Sequence, residues 1–332
     1  MEEIGKSYLP DTAFPARTVD KEKCARCGRC IEACPTGGFV KGKDGFPEPV
    51  GYGGFKEACI NCWNCVAMCP EGAINLEGPF AIKEGPYKSR LTGVMDYPRP
   101  IAGDTRPYAE IEESLTGVER VIYTRRSNRL FKKKEVPKEL LHRIIEAGRF
   151  APSAGNCQPV KVVVITDQAL ISEIENGAMK VLRLFKNLYL EKTGKRKAWR
   201  AALFGALTLF MAGKTDPRPF TAMDKADKDK NVIYWHAPAV IFILKNKVGI
   251  SNPDLDCGMC AQNMVLAAHS LGLGTCYIGL AVEPLGYPQN AALRRKLGIV
   301  HPWEAVTSIA VGWPKGKIDG IVKRDTFQVE WK

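Results

Sequence analysis

The chain has 332 residues, of which 45% are hydrophobic and 25% charged, a composition typical of a folded protein with room for two domains. The apolar run at 201–213 is too short to cross a membrane, and the opening MEEIGKSYLP lacks the basic and apolar regions of a secretory signal. We therefore expect a cytoplasmic protein that does not enter a membrane.

The charge of the chain is unevenly distributed. Residues 1–115 contain 14 Lys and Arg against 17 Asp and Glu, whereas the remainder contains 34 against 19. A basic half suits an anionic cofactor, an acidic protein or nucleic acid, although a solvated surface is the simplest alternative. Because no basic stretch is interleaved with aromatic residues, we predict no nucleic-acid partner.

Two cysteine runs share one spacing. CARCGRCIEACP (24–35) and CINCWNCVAMCP (59–70) both read C-x2-C-x2-C-x3-C-P. Cytosolic thiols stay reduced, so these residues favour metal ligation or redox chemistry over disulfides. Zinc sites use paired knuckles with a longer gap between them, whereas this spacing is typical of iron–sulfur ligation. The runs therefore predict two [4Fe-4S] clusters.

This module resembles the bacterial two-cluster ferredoxin over about residues 18–80. In such modules the cysteine before the proline ligates the other cluster. The resemblance implies two ligand sets, one of Cys24, Cys27, Cys30 and Cys69, the other of Cys59, Cys62, Cys65 and Cys34. Clusters held this way transfer single electrons, so we expect an electron acceptor elsewhere in the chain.

A connector and a second domain are predicted downstream. Five prolines between 78 and 107 favour an extended connector, so the predicted domains are 1–80, 81–115 and 116–332. Mixed helices and strands without regular βαβ spacing predict an α+β fold. The predicted helices are 137–149, with Pro137 at the first helical position, 168–213, 252–271 and 288–297; the predicted strands are 160–165, 237–244, 272–280 and 304–313.

Three segments of this domain, RRSNRLF (125–131), APSAGNCQP (151–159) and GLGTCYIG (272–279), resemble the FMN-binding segments of the nitroreductase family. The resemblance covers about residues 116–332. It implies a mixed sheet flanked by helices, FMN as cofactor, and a homodimer with FMN at its interface. The glycines of the third segment follow a helix and do not complete G-x-G-x-x-G, so we predict no separate NAD(P)H domain.

The resemblance also implies which residues bind FMN. A forked, basic set of donors suits its phosphate, although a solvated charged face and an ordinary loop are the alternatives for the first two segments. The phosphate end is assigned to Arg125, Arg126, Ser127 and Arg129, closed by Lys323 or Arg324; the ring is assigned to Pro152, Ser153, Ala154 and Asn156, with Gln158 fixing the loop, and to Tyr277, Ile278 and Gly279, whose backbone N–H groups would face the flavin.

The remaining cysteines and the histidines show no ligand spacing. We predict that Cys157, Cys257, Cys260 and Cys276 are buried small hydrophobic residues, with a redox dithiol at 257/260 or a third cluster as alternatives. The four histidines are predicted to be structural. No catalytic side chain is predicted, because the flavin would supply the chemistry.

Together these features predict an anaerobic, FMN-dependent reductase that receives electrons from a ferredoxin-type donor through the two clusters. The predicted substrate is a small electrophile such as a nitroaromatic, an activated alkene or a quinone, with helices at 176–213 as a lid. One alternative is an electron-transfer or redox-sensing protein with a protein partner. Another is an NAD(P)H-dependent nitroreductase with accessory clusters.

Overall fold

The computed structural model describes residues 12–50, 59–78, 80–82, 94–189, 199, 218–230, 232–248, 252–316 and 320–332. It forms two compact units: the first draws on Met1–Thr116, Arg183–Lys225 and Gly320–Lys332, the second on Gly117–Leu182 and Ala226–Asp319. Most of the predicted lid, 190–198 and 200–213, lies outside the described residues. Within the described part, no helix is long and apolar enough to span a membrane.

The described residues combine short strands with longer helices. The strands are β1 (Thr12–Ala13), β2 (Ala16–Val19), β3 (Phe39–Lys41), β4 (Pro47–Pro49), β5 (Ile74–Glu77), β6 (Ala81–Ile82), β7 (Met95–Asp96), β8 (Val160–Ile165), β9 (Ala239–Asn246), β10 (Gly274–Tyr277), β11 (Trp303–Gly312) and β12 (Arg324–Asp325). The helices are α1 (Arg29–Glu32), α2 (Asn64–Ala67), α3 (Tyr108–Ile111), α4 (Gly117–Thr124), α5 (Lys138–Arg149), α6 (Gln168–Tyr189), α7 (Arg218–Lys228), α8 (Pro253–Ser270), α9 (Val282–Leu285) and α10 (Ala291–Lys296).

The first unit is built around the two cysteine runs. Strands β2 and β5 pair antiparallel, and β3 pairs with β4 in a hairpin. Each cysteine run contributes one short helix, α1 or α2. A small core of Cys30, Phe39 and Ile74 holds these elements together. The β2–β5 ladder joins the segment before the first cysteine run to the segment after the second run, so both runs lie in one module.

The C-terminal segment packs on this same module. Strand β12 pairs with β7, and Val322 packs with Trp63 and Leu76. At Gly320 an added Cβ would collide with the backbone of Ala67, so only glycine allows this close approach. The ferredoxin-like unit therefore takes its residues from both ends of the chain.

A four-stranded sheet in the order β10-β11-β9-β8 forms the second unit. All three ladders are antiparallel, and a single parallel bridge joins Ser127 to Thr275 at the β10 edge. Strand β9 is buried on both faces over Ala239–Leu244, as its continuous apolar sequence requires. The α+β prediction is confirmed, with the described ladders antiparallel rather than mixed.

Helices α5 and α8 pack together against the sheet. Ile144 of α5 and Met264 of α8 share a core with Ile241 and Ile309 of the sheet. Gly148 lies where α5 crosses α8, and an added Cβ would overlap Met264 and Cys260. The predicted helix 137–149 begins one residue too early, because α5 begins at Lys138 and Pro137 is its N-cap. For 288–297, the described helix begins only at Ala291, after a 3₁₀ turn.

Candidate functional site

The eight cysteines of the two runs line two separate cavities, four to each. Site 1 is lined by Cys24, Cys27, Cys30 and Cys69, and site 2 by Cys34, Cys59, Cys62 and Cys65. Each set takes three cysteines from one run and one from the other. This is the crossed arrangement that the ferredoxin resemblance implies.

Matching backbone turns shape the two sites. Arg26 and Asn61 adopt left-handed conformations, with φ of 55° and 54°, and donate their N–H groups to Cys24 and Cys59 over 3.4 and 3.3 Å. The fourth cysteines are matched as well. Gly38 donates to the Sγ of Cys34 at 3.1 Å, and Ala73 donates to the Sγ of Cys69 at 3.2 Å. Such N–H groups favour sulfur that carries negative charge, as in a cluster ligand.

Burial of the thiols fits ligation better than free reactivity. Burial raises the pKa of Cys30 to about 11 and that of Cys59 to about 12, and it raises the pKa of Cys65 as well. As free groups these thiols would stay protonated at neutral pH and would be inert. Iron supplies the positive charge that buried thiolates need.

Each cavity is bordered by four cysteine thiols, which is the donor set of a [4Fe-4S] cluster.

Two of the three predicted flavin segments lie side by side. After α4, Ser127 bridges to Thr275 of β10, and the N–H of Asn128 donates to the carbonyl of Thr275 at 2.7 Å. The side chain of Asn128 packs on Gly274, where a Cβ would collide with it. The RRSNR segment is thus fixed along the β10 edge of the sheet.

The arginines of this segment are partly withdrawn from solvent. Arg126 and Arg129 are each 7% exposed, and the guanidinium of Arg129 lies 5.4 Å from the ring centroid of Trp235. Arg126 donates to the carbonyl of Arg125 at 2.6 Å. Buried guanidinium groups are costly unless hydrogen bonds or an anion compensate them, and a phosphate is such an anion.

The loop 151–159 leads into β8 at the opposite edge of the sheet. The N–H of Gln158 donates to Ser153 Oγ at 2.9 Å, and its side chain donates to Asn156 Oδ1 at 3.0 Å. Pro152, Ser153 and Gln158 border a cavity of about 200 Å³. Three inter-strand steps separate β8 from β10, which is about 14 Å. The loop and the RRSNR segment therefore lie at opposite edges of the sheet.

The segment Tyr277–Gly279 begins at the last residue of β10 and is anchored by a residue that the sequence did not reveal. Buried Ser308 donates its hydroxyl to the carbonyl of Ile278 at 2.7 Å and accepts the Ile278 N–H on its own carbonyl at 2.8 Å. The Ile278 N–H is consequently not available to a flavin, which corrects that part of the prediction. Gly279 opens on a cleft of about 950 Å³.

Two phenols lie beside this anchor. The hydroxyl of Tyr234 is 2.9 Å from Ser308 Oγ, and that of Tyr277 donates to Gln262 at 3.3 Å. Burial raises the pKa of both, that of Tyr277 to about 12, so both remain protonated at neutral pH. Because Ser308 donates to Ile278, Tyr234 donates to Ser308. A serine within an apolar strand was the only sequence signal of this chain of bonds.

The other predicted residues are placed less directly. Lys323 and Arg324 belong to the first unit, where the Lys323 ammonium lies 5.2 Å from the ring centroid of Tyr97 and the backbone of Arg324 lies opposite Asp96 in the β12–β7 ladder. Their role at a phosphate stays a prediction.

Of the cysteines outside the two runs, three are buried, and burial raises the pKa of Cys257 to about 12 and that of Cys260 to about 11. Cys257 and Cys260 pack in the core beneath the sheet, which suits small hydrophobic residues. Cys157 is exposed, so the prediction of burial is wrong for that residue, which lies in the loop before β8.

Comparisons with known proteins give the family. A nitroreductase family model matches residues 122–313, and a 4Fe-4S dicluster domain model matches residues 23–74. A curated relative named putative NADH dehydrogenase/NAD(P)H nitroreductase, from Archaeoglobus fulgidus, is 24% identical over 63% of this chain and 91% of its own. Nitrobenzene nitroreductase from Ectopseudomonas oleovorans is 25% identical over 59% of this chain and 86% of its own.

Solved structures are similar as well. A nitroreductase with bound FMN from Desulfitobacterium hafniense is 22% identical, with a TM-score of 0.48, and covers 65% of this chain and 100% of its own. Another with bound FMN, from Bacteroides fragilis, is 20% identical, with a TM-score of 0.45, and covers 64% of this chain and 96% of its own.

The predicted cofactors, FMN and [4Fe-4S] clusters, are those named for the matched proteins and domain. The nitroreductase model covers more than half of the chain, which therefore belongs to the nitroreductase family of oxidoreductases and carries a 4Fe-4S dicluster domain.

Proposed function

We propose that this protein is an FMN-dependent reductase that takes electrons one at a time from a low-potential, ferredoxin-type donor and delivers them in pairs to a small electrophilic substrate. The observation that carries the proposal is the pair of crossed cysteine sets in a chain that also has a nitroreductase domain. When bound, the clusters supply one-electron transfer, and FMN supplies the conversion to a two-electron reduction.

The protein's own residues bind and orient these groups. The cysteines of sites 1 and 2 hold the clusters, and the N–H groups of the cysteine turns stabilise their negative charge. Arg125, Arg126 and Arg129 bind the flavin phosphate as forked donors. Ser308 fixes Tyr277–Gly279 beside the flavin ring. The substrate is a nitroaromatic, an activated alkene or a quinone.

A second copy of the chain completes the flavin site. The loop 151–159 and the RRSNR segment lie at opposite edges of the sheet in one protomer. In a homodimer, the loop of one protomer can reach the β10 edge of its partner. A dimer therefore supports FMN binding where one protomer supplies only part of the site.

The C-terminus supports the same dimer. Phe327, Val329 and Trp331 alternate with polar residues, as in a strand with one apolar face, and they are 93%, 63% and 94% exposed. Among the described residues, β10 covers only Ile309–Gly312 of β11 on its side. The remaining edge of β11 borders the cleft of about 950 Å³, so the C-terminal strand of a second copy would fit there.

Two measurements test the proposal. Anaerobically purified protein should contain about eight irons and about eight sulfides per chain, with one FMN. It should reduce a substrate from the three classes with reduced ferredoxin as the only electron source. The proposal fails if zinc replaces the iron, if no flavin is bound, or if NADPH alone sustains full turnover when a cluster is removed by Cys62→Ala.

A further inference from the structure

A buried amide without a partner among the described residues borders site 2. Asn64 is 2% exposed, and neither its Nδ2 nor its Oδ1 has a hydrogen-bond partner in the part of the chain that the structure describes. Asn64 borders the same cavity as the four cysteines of site 2. Because a buried amide without a partner costs free energy, a side chain kept in this place indicates a partner that the described residues do not provide.

The local fold holds the amide at this point. Asn64 is the first residue of α2, between the ligands Cys62 and Cys65, and follows Trp63, whose φ is 58°. The Trp63 indole donates to Asn61 Oδ1 at 2.9 Å. The neighbouring polar side chains are thus engaged with each other, which leaves the Asn64 amide to the cavity. The sulfurs of a cluster accept hydrogen bonds, and such bonds tune its reduction potential.

Site 1 differs at the matching position. Arg29 follows Gly28 as Asn64 follows Trp63, and it is half-buried at the wall of site 1. An exposed carboxylate, that of Glu71, also borders site 1. The polar groups around the two sites are therefore unequal, although the cysteine spacing is the same.

A buried cation adds to the difference at site 2. Arg17 is 7% exposed and donates to the carbonyls of Gly38 and Val50. The Gly38 N–H in turn donates to Cys34 Sγ. Arg17 borders site 2 and the Gly38 N–H donates to Cys34, so both favour negative charge on sulfur in a site shielded from water.

We propose that the Asn64 amide donates a hydrogen bond to a sulfur of the cluster at site 2 and thereby raises the reduction potential of that cluster above that of the cluster at site 1. The inference rests on the proposed function, which places clusters at both sites. Electrons that enter the module would then collect at site 2. Asn64 is a positioning and tuning residue, and the ligands remain the cysteines.

The test is an anaerobic redox titration of the full-length holoprotein, followed by EPR. Asn64→Leu keeps the branched shape and the number of non-hydrogen atoms of the side chain and removes the amide. We expect the reduced-to-oxidised ratio of one cluster to fall roughly fivefold at a fixed potential, which is the effect of about one hydrogen bond. The other cluster should be unchanged. Asn75→Leu, at an exposed asparagine of β5 in the same unit, is the matched control and should alter neither cluster.

A second measurement needs no variant and so does not depend on folding. Wild-type protein is labelled with ¹⁵N only at the side-chain amides of its asparagines. A hyperfine coupling should then appear between one reduced cluster and an asparagine side-chain nitrogen, which we assign to Nδ2 of Asn64. A wild-type protein with its full iron content but no such coupling, or an iron-replete Asn64→Leu variant with unchanged potentials, overturns this inference alone. A wild-type protein without clusters overturns the proposed function instead.

Discussion

Ser308 and Ile278 are joined by two hydrogen bonds, one in each direction, although 30 residues separate them in the chain. Ser308 is fully buried, and its hydroxyl also accepts from Tyr234. The segment that we place beside the flavin therefore takes its position from a hydroxyl in the centre of the sheet.

Ser308→Ala should loosen this segment and destabilise the fold. The change leaves the carbonyl of Ile278 and the phenol of Tyr234 without a buried partner, which should cost about 1–3 kcal/mol in the free energy of unfolding. FMN should also bind several-fold more weakly. Urea unfolding and fluorescence titration with FMN measure both. Ser270→Ala, whose hydroxyl bonds only its own helix, should change neither by much. Equal effects of the two variants would contradict this role of Ser308.

Replacing two glycines of α5 and α8 by alanine should have opposite effects on stability, because only one of them lies where the helices cross. Gly148→Ala should destabilise the protein by about 1–3 kcal/mol, because the added Cβ meets Met264 and Cys260 in a closely packed core. Gly258→Ala, on the exposed face of α8, meets nothing within 4 Å and should stabilise the helix by up to about 1 kcal/mol. Thermal unfolding compares the variants with wild type. A stability gain at both positions would show that the helices are less closely packed than described.

The C-terminal residues 326–332 provide a test of the proposed dimer. Deletion of these residues, or the triple change of Phe327, Val329 and Trp331 to serine, should convert the proposed dimer to monomers because the apolar face is lost. Loss of FMN should accompany the loss of the dimer. Light scattering after size exclusion gives the mass. Val248→Ser, another exposed apolar position at 70%, serves as the control. A truncated protein that stays dimeric and binds FMN as before argues against this interface.

Glu175 predicts a pH dependence. Its carboxylate accepts the N–H groups of Ile233 and Tyr234 at 2.8 and 2.7 Å, but burial raises its pKa. The folded protein thus holds a proton on Glu175 at a higher pH than the unfolded chain, whose pKa is near 4.5. The stability from this group is full below that value and is lost as the pH rises through the folded pKa.

Glu175→Gln removes this titration and keeps an oxygen acceptor. The unfolding free energy of Glu175→Gln minus that of wild type should therefore increase from about pH 4.5 upward and level off above the folded pKa. Urea unfolding of both proteins between pH 4.5 and 8 gives the difference. A difference that is constant, or that decreases with rising pH, is inconsistent with a raised pKa.

Local patterns in the sequence predict much of this molecule. Strand β8 has the predicted bounds because five of its six residues are β-branched and no turn signal competes within it. Asn252, at the start of the predicted helix 252–271, is the N-cap of α8, and its side chain accepts from the N–H of Leu255. The crossed sets that line the cavities are those that the resemblance to two-cluster ferredoxins implied. The bounds of β8 and the cap of α8 depend on residues close in sequence.

Features that depend on distant residues were not predictable in this way. The return of Gly320–Lys332 to the ferredoxin-like unit, the anchor formed by Ser308, and the isolation of the Asn64 amide all arise from packing between segments far apart in the chain. Periodicity and composition do not encode such contacts. For the same reason, sequence did not reveal that loop 151–159 and the RRSNR segment lie at opposite edges of the sheet.

The most direct test of the central claim is the rate at which reduced ferredoxin bleaches the flavin of the anaerobic holoprotein in a stopped-flow experiment. Wild type and Cys257→Ala, a core thiol outside the clusters, should bleach at similar rates, whereas Cys62→Ala should lose the reaction while retaining FMN. Equal bleaching in Cys62→Ala would contradict electron transfer through the clusters.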